Sequence, residues 1–217
     1  MTAPEHISVR ARFERFPATV KGAFIIRGED RDPHQVVLRE ARVVAVDGRT
    51  ARPLPMALAT LDVAPHQDVF VPFEVGVSDL AAGWYEFVCD LDVDGMPGSF
   101  PGGKRFAVAW PRATVRRGQV RVDKELRLGK GTTVLIEQVE LGGDSIKLHL
   151  SASPPGQLTA KLSADGDRLE ILTSEVDEAS GRVKVTAYPL LRSHTSLKIE
   201  LKGRGRGTEA SVVVPLP

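Results

Sequence analysis

The chain has 217 residues, 42% of them hydrophobic and 26% charged, which is the balance of a globular protein and too apolar for a disordered one. A net charge of +1 and an aromatic content of 6% argue against a nucleic-acid partner held by a basic field or a stacking platform. No stretch approaches the ~20 apolar residues of a membrane span, and a single cysteine, Cys89, excludes an intrachain disulfide.

The opening "MTAPEHISVRARF" has no apolar core of signal-peptide length. With one cysteine, this leads to the expectation of a cytoplasmic protein; a fragment of an exported one would read the same. The stretch 32–48, "DPHQVVLREARVVAVDG", carries helix start signals: Asp32 as N-cap, Pro33 as first helical residue, Gln35 as capping partner and Gly48 as stop. Val36, Val37, Val43, Val44 and Val46 are β-branched and favour a strand instead. "RTARPLPMAL" (49–58) holds two prolines and reads as an edge or a loop. "DVFVPFEV" (68–75) is apolar on both faces and reads as a fully buried strand, with an exposed edge that binds a partner's strand as the second reading.

The dominant period is two, and Val69, Val71, Phe73 and Val75 already follow it. Tyr85, Phe87, Cys89, Leu91 and Val93 fall on one face, and Glu86, Asp90, Asp92 and Asp94 on the other. The same alternation returns at Val134, Ile136 and Gln138; at Ile146, Leu148 and Leu150; at Val183, Val185 and Ala187; at Leu197, Ile199 and Leu201; and at Val212, Val214 and Leu216. Turn dipeptides separate these runs, such as the Asp-Gly pairs at 47–48, 94–95 and 165–166. Many short strands at even spacing indicate sandwiches or barrels. Pro111 and the basic, polar run after it mark a boundary. The expected organisation is an all-β chain of two tandem antiparallel sandwiches, 1–110 and 119–217, with a linker at 111–118.

Leu80, Gly83, Tyr85 and Phe87 form an L-x-x-G-x-Y-x-F pattern. It resembles the tyrosine corner of immunoglobulin-like and fibronectin type III-like sandwiches. The resemblance implies that Tyr85 lies near the start of strand F and that its hydroxyl bonds back to the loop 77–83. Antibody-type domains carry a cysteine two residues after that tyrosine. Phe87 stands there, so Cys89 reads as a small buried hydrophobe.

"DLDVDG" (90–95) matches the first half of a calcium loop, through Asp90, Asp92 and Asp94. Position twelve is Pro101 where an EF-hand needs glutamate, and alternate residues of an extended strand stand ~6.8 Å apart. A solvated strand face closed by a turn is the plainer reading, and no cofactor is expected unless it is calcium. The five histidines, His6, His34, His66, His149 and His194, show no zinc-pair spacing and read as surface residues. There is no nucleophile elbow, P-loop, dinucleotide fingerprint or zincin helix, and "SHTS" (193–196) is a weak hint of a triad, because a triad is set by geometry. Lys202, Arg204 and Arg206 sit on a glycine-rich hairpin tip, which reads as a flexible surface turn or as a contact with a phosphate or an acidic partner. Trp84 points away from Tyr85 and is the leading candidate for a protein-contact residue, with cover by the second domain or a loop as the equal alternative.

Together these features predict a non-catalytic binding, adaptor or structural protein acting through protein–protein contacts. The alternatives are a carbohydrate- or calcium-binding module and an accessory domain of an enzyme or secretion assembly. Neither a nucleic-acid partner nor membrane insertion is expected, and the oligomeric state is left open.

Overall fold

The computed structural model describes residues 6–48, 51–56, 58–129, 131–156, 158–203 and 208–217. The chain forms two compact units, Met1–Val108 and Ala109–Pro217. None of the described residues is helical, and no helix is long and apolar enough to cross a membrane.

The first unit runs through β1 (Ile7–Arg15), β2 (Thr19–Gly28), β3 (His34–Ala45), β4 (Ala51–Pro53), β5 (Ala59–Val63), β6 (Asp68–Gly76), β7 (Gly83–Val93) and β8 (Met96–Val108). One sheet has the order β1-β2-β6; the other has β4-β3-β7-β8, with β5 also paired to β3. In immunoglobulin letters these are A-B-E and C′-C-F-G. The departure is β5, in the place of strand D, which pairs His34–Leu38 of β3 and not β6. Their inner faces meet in one core, with Val20, Phe24, Ile26, Val71 and Phe73 from the first sheet and Val36, Val43, Phe87, Cys89 and Leu91 from the second.

The stretch 32–48 is therefore a strand. A bulge between Leu38 and Glu40 resets its alternation, so that His34, Val36 and Leu38 point inward before it and Ala41, Val43 and Ala45 after it. The Phe87 ring is the hub of the core. Its centroid lies 4.5 Å from that of Phe73, 5.0 Å from Phe13, 5.3 Å from Phe106 and 6.4 Å from Phe24. β1 also closes against β8. A Cβ on Gly102 would stand 2.6 Å from that of Ala11, so only glycine allows this approach.

Tyr85 lies near the start of β7, the strand F position. Its ring is buried, its hydroxyl donates to the Ala81 carbonyl at 2.9 Å, and Leu80 packs on the core. This is the tyrosine corner that residues 80–87 resemble.

The second unit contains β9 (Gly118–Leu128), β10 (Thr132–Leu141), β11 (Ile146–Ser153), β12 (Thr159–Ala164), β13 (Asp167–Leu169), β14 (Ile171–Asp177), β15 (Arg182–Ala187), β16 (Ser196–Lys202) and β17 (Glu209–Pro215). Its sheets run β14-β15-β11-β10-β9 and β13-β12-β16-β17. With β10 as strand A, these become D-E-B-A and C′-C-F-G, with β9 added beside A. Both units are thus immunoglobulin-like sandwiches. In β10 the expected inward Gln138 is corrected: a bulge between Ile136 and Gln138 brings Val139 and Leu141 inside. Ahead of β9, Val115 is buried and bridges Leu191, and the Arg116 guanidinium donates to the backbone oxygens of Arg192 (3.1 Å), His194 (2.7 Å) and Pro217.

Tyr85→Phe should destabilise the first unit by about 1 kcal/mol, the net worth of a hydrogen bond, and Phe87→Ala by about 3–5 kcal/mol. Urea unfolding of a Trp110→Phe background reads this unit alone, because Trp84 is then the only tryptophan. A neutral Tyr85→Phe would contradict the structural role of the hydroxyl.

Candidate functional site

The aspartates of the "DLDVDG" stretch lie along β7 and its turn, and β3 runs beside them. Asp90 takes both guanidinium nitrogens of Arg42, the longer bond at 3.3 Å, and Asp92 takes Arg39 at 2.9 Å. Asp94 accepts from the Gln35 amide at 2.9 Å and meets His34 Nδ1 at 2.6 Å. Burial pushes the Asp90 carboxyl up, but the hydrogen bonds from Arg42 and Ser99 outweigh it and hold the group below its ordinary value. Asp94 and Gly95 both have positive φ, 51° and 83°, as a two-residue hairpin turn requires. The three carboxylates thus face three different basic side chains, Arg42, Arg39 and His34. Among the described residues no three His, Cys, Asp or Glu side chains are grouped so as to hold a metal ion.

Trp84 is half-buried on the outer row of β7, opposite Ala107 of β8, and its carbonyl accepts from the Val46 amide at 2.8 Å. Lys202 is exposed at the end of β16 and pairs with Glu209 at 2.8 Å. Arg204 and Arg206 lie outside the described residues. The "SHTS" residues do not form a triad: His194 Nδ1 accepts from the Leu191 amide, and Ser196 Oγ donates to Asp165 at 2.8 Å. Cys89 is fully buried, and burial pushes its thiol up to about 12, so it is no nucleophile at neutral pH.

Two sequence expectations are corrected. His34 is not a surface residue; it is 8% exposed and sits between Asp94 and Asp30, with Nε2 2.7 Å from Asp30 Oδ1. β6 is not fully buried. It is an edge strand whose Val71, Phe73 and Val75 point inward, while Phe70, 59% exposed, and Pro72 point outward.

That outward row belongs to a distinct surface. Across β1, β2 and β6 the register aligns Arg10, Ile25 and Phe70 in one row, and Arg12, Ala23 and Pro72 in the next. The flanking rows carry ion pairs, Lys21–Glu74 at 3.1 Å and Arg27–Asp68 at 3.2 Å. Opposite Arg10 and Arg12 stand Ile25 and Ala23 and no carboxylate. The patch is an apolar centre with two arginines on one side, rimmed by neutralised charge.

No family model matches the chain, and no curated protein matches it. Among solved structures it is similar to a marsupial T cell receptor, with 10% identity and a TM-score of 0.28, over 98% of this chain and 63% of that one. It is also similar to the C-terminal domain of the Streptococcus agalactiae AgI/II polypeptide BspA, with 10% identity and a TM-score of 0.21, over 97% of this chain and 99% of that one. The chain spans less than two thirds of the receptor chain. The immunoglobulin-like strand order is present in both units, and the Tyr85 hydrogen bond in the first.

Two outcomes are expected. Calcium at about 10 mM, above the ~1 mM dissociation constants of the weakest extracellular sites, should leave the melting temperature unchanged; a rise would mean that Asp90, Asp92 and Asp94 exchange their partners for the ion. Cys89 should resist a thiol reagent in the folded protein at pH 8 and react fully in denaturant, a contrast that rapid native labelling would contradict.

Proposed function

We propose that this protein is a non-catalytic binding module acting through protein–protein contacts, with the outer face of the β1-β2-β6 sheet as its principal contact surface. The observation that carries this reading is Phe70, a large aromatic 59% exposed on the edge strand of the sheet, beside Ile25 and with Arg10 on the far side of that row. An exposed aromatic together with arginine is the composition of an interface hot spot. Arg10 and Arg12 add positive charge without a carboxylate opposite, which suits a partner surface carrying Asp or Glu around an apolar residue. Elsewhere the reactive groups have structural work: Cys89 fills the core, and the β7 aspartates hold β3.

Strand addition along β6 is a poorer mode of contact. Pro72 cannot donate to an incoming strand, and Glu74 and Asp68 place charge near both ends. Contact is therefore through side chains. Trp84 on the other sheet remains a second candidate face.

A photo-crosslinking amino acid at position 70, introduced in cells, should yield one discrete adduct, and the same probe at position 137 should not. With the partner so captured and purified, Phe70→Ser should weaken binding about tenfold or more, the ~1.4 kcal/mol or greater expected of a hot spot, without changing the melting temperature. Loss of binding in Trp84→Ala but not in Phe70→Ser would move the contact to the other sheet. No discrete adduct at position 70, or unchanged binding of Phe70→Ser to the captured partner, would refute the reading.

A further inference from the structure

Four titratable side chains from three separate segments meet where β3 begins. His34 opens that strand, and its side chain is 7% exposed. Its Nδ1 lies 2.6 Å from Asp94 Oδ2 in the β7–β8 turn, and its Nε2 lies 2.7 Å from Asp30 Oδ1 in the β2–β3 loop. His6, just before β1, stacks on the His34 ring with centroids 5.8 Å apart and places its Nδ1 3.0 Å from the other Asp30 oxygen. Opposite His34 on β5 stands Val63, which is apolar and buried. The groups facing the ring are thus two carboxylates and one exposed histidine.

A neutral imidazole has one N–H and one bare nitrogen. Placed here, the bare nitrogen would face a carboxylate lone pair at hydrogen-bond distance. Only the imidazolium offers an N–H to each carboxylate. We propose that His34 is a proton-operated clasp: as imidazolium it ties the β2–β3 loop at Asp30 to the β7–β8 turn at Asp94, and on giving its proton to solvent it releases one of the two.

The direction of titration agrees. Hydrogen bonding to Asp94, then to Asp30, raises His34 above its ordinary 6.5, against the opposing pull of burial. The His34 bond in turn holds both Asp30 and Asp94 below their ordinary 3.8. A raised histidine contributes stability in full below 6.5 and loses it as pH rises through its folded value. The lowered carboxylates contribute above 3.8 and lose it as pH falls through theirs. The clasp is therefore closed from mildly acid conditions up to the raised folded value of His34 and opens on the alkaline side of it. The segment it releases is either the loop at Asp30 or the turn at Asp94.

The test is proton–nitrogen NMR of the imidazole rings in the full chain, titrated from about pH 4 to about pH 10 across the ordinary histidine value, with His34→Gln to assign the signal. His34 should carry protons on both nitrogens at low pH and titrate above 6.5. Asp94→Asn should lower that midpoint by about one pH unit or more. As His34 deprotonates, the amide order parameters of either the loop around Asp30 or the turn at Asp94 and Gly95 should fall from the rigid range of about 0.85 toward about 0.6. A midpoint at or below 6.5, a midpoint unmoved by Asp94→Asn, or loop and turn both equally ordered on the two sides of the titration each overturns the proposal.

Discussion

The first unit depends on the contacts of one ring. Phe87 sits at the middle of strand F and touches phenylalanines from both sheets. Sheets pack about 10 Å apart, and a gap of that width is filled here by rings meeting tilted or edge-on, with few offset stacks. The surrounding features accommodate this cluster. β8 presents Gly102 so that β1 can close over the cluster, and Tyr85, one inward position before Phe87, extends it to Phe106 while its hydroxyl anchors the loop. An aromatic-poor chain has kept its phenylalanines in one unit: all eight precede residue 107, and six of them are buried.

The second unit fills the same architecture with Leu, Ile, Val and Ala and no phenylalanine. It compensates at its edges by polar ties. Asp165, at positive φ in the β12–β13 turn, accepts from the amides and hydroxyls of Thr195 and Ser196, and these bonds hold its carboxyl at about 2. Arg116 performs a comparable service with backbone oxygens. Topology is conserved by hydrogen-bond order, and cores of different chemistry satisfy it.

The alternation of apolar residues made the strands and the tyrosine corner legible in the sequence, because both are local patterns. A bulge shifts the alternation by one residue. In β3 His34, Val36 and Leu38 and then Ala41, Val43 and Ala45 keep period two on either side of the inserted residue, so its β-branched residues marked a strand despite the helix start signals. In β10 the same device moved Gln138 outward. The aspartates were visible as a strand face, but their partners Arg42, Arg39 and His34 lie 48 to 60 residues away in the chain, and pairing at that distance has no local signal. His34 followed Pro33 among helix start signals, and nothing nearby marked it as buried. Phe70 was misplaced because an apolar edge and an apolar core strand have the same composition.

The exchange of β5 from β6 to β3 has a consequence for stoichiometry. It strips the lateral cover from a strand whose outer face is apolar, and an uncovered strand commonly invites another of its kind, then another, in an open-ended stack. Pro72 interrupts that succession at the backbone while leaving the Phe70 ring available. An encounter through side chains alone is used up once one surface has been covered. The edge can thus be adhesive and still self-limiting.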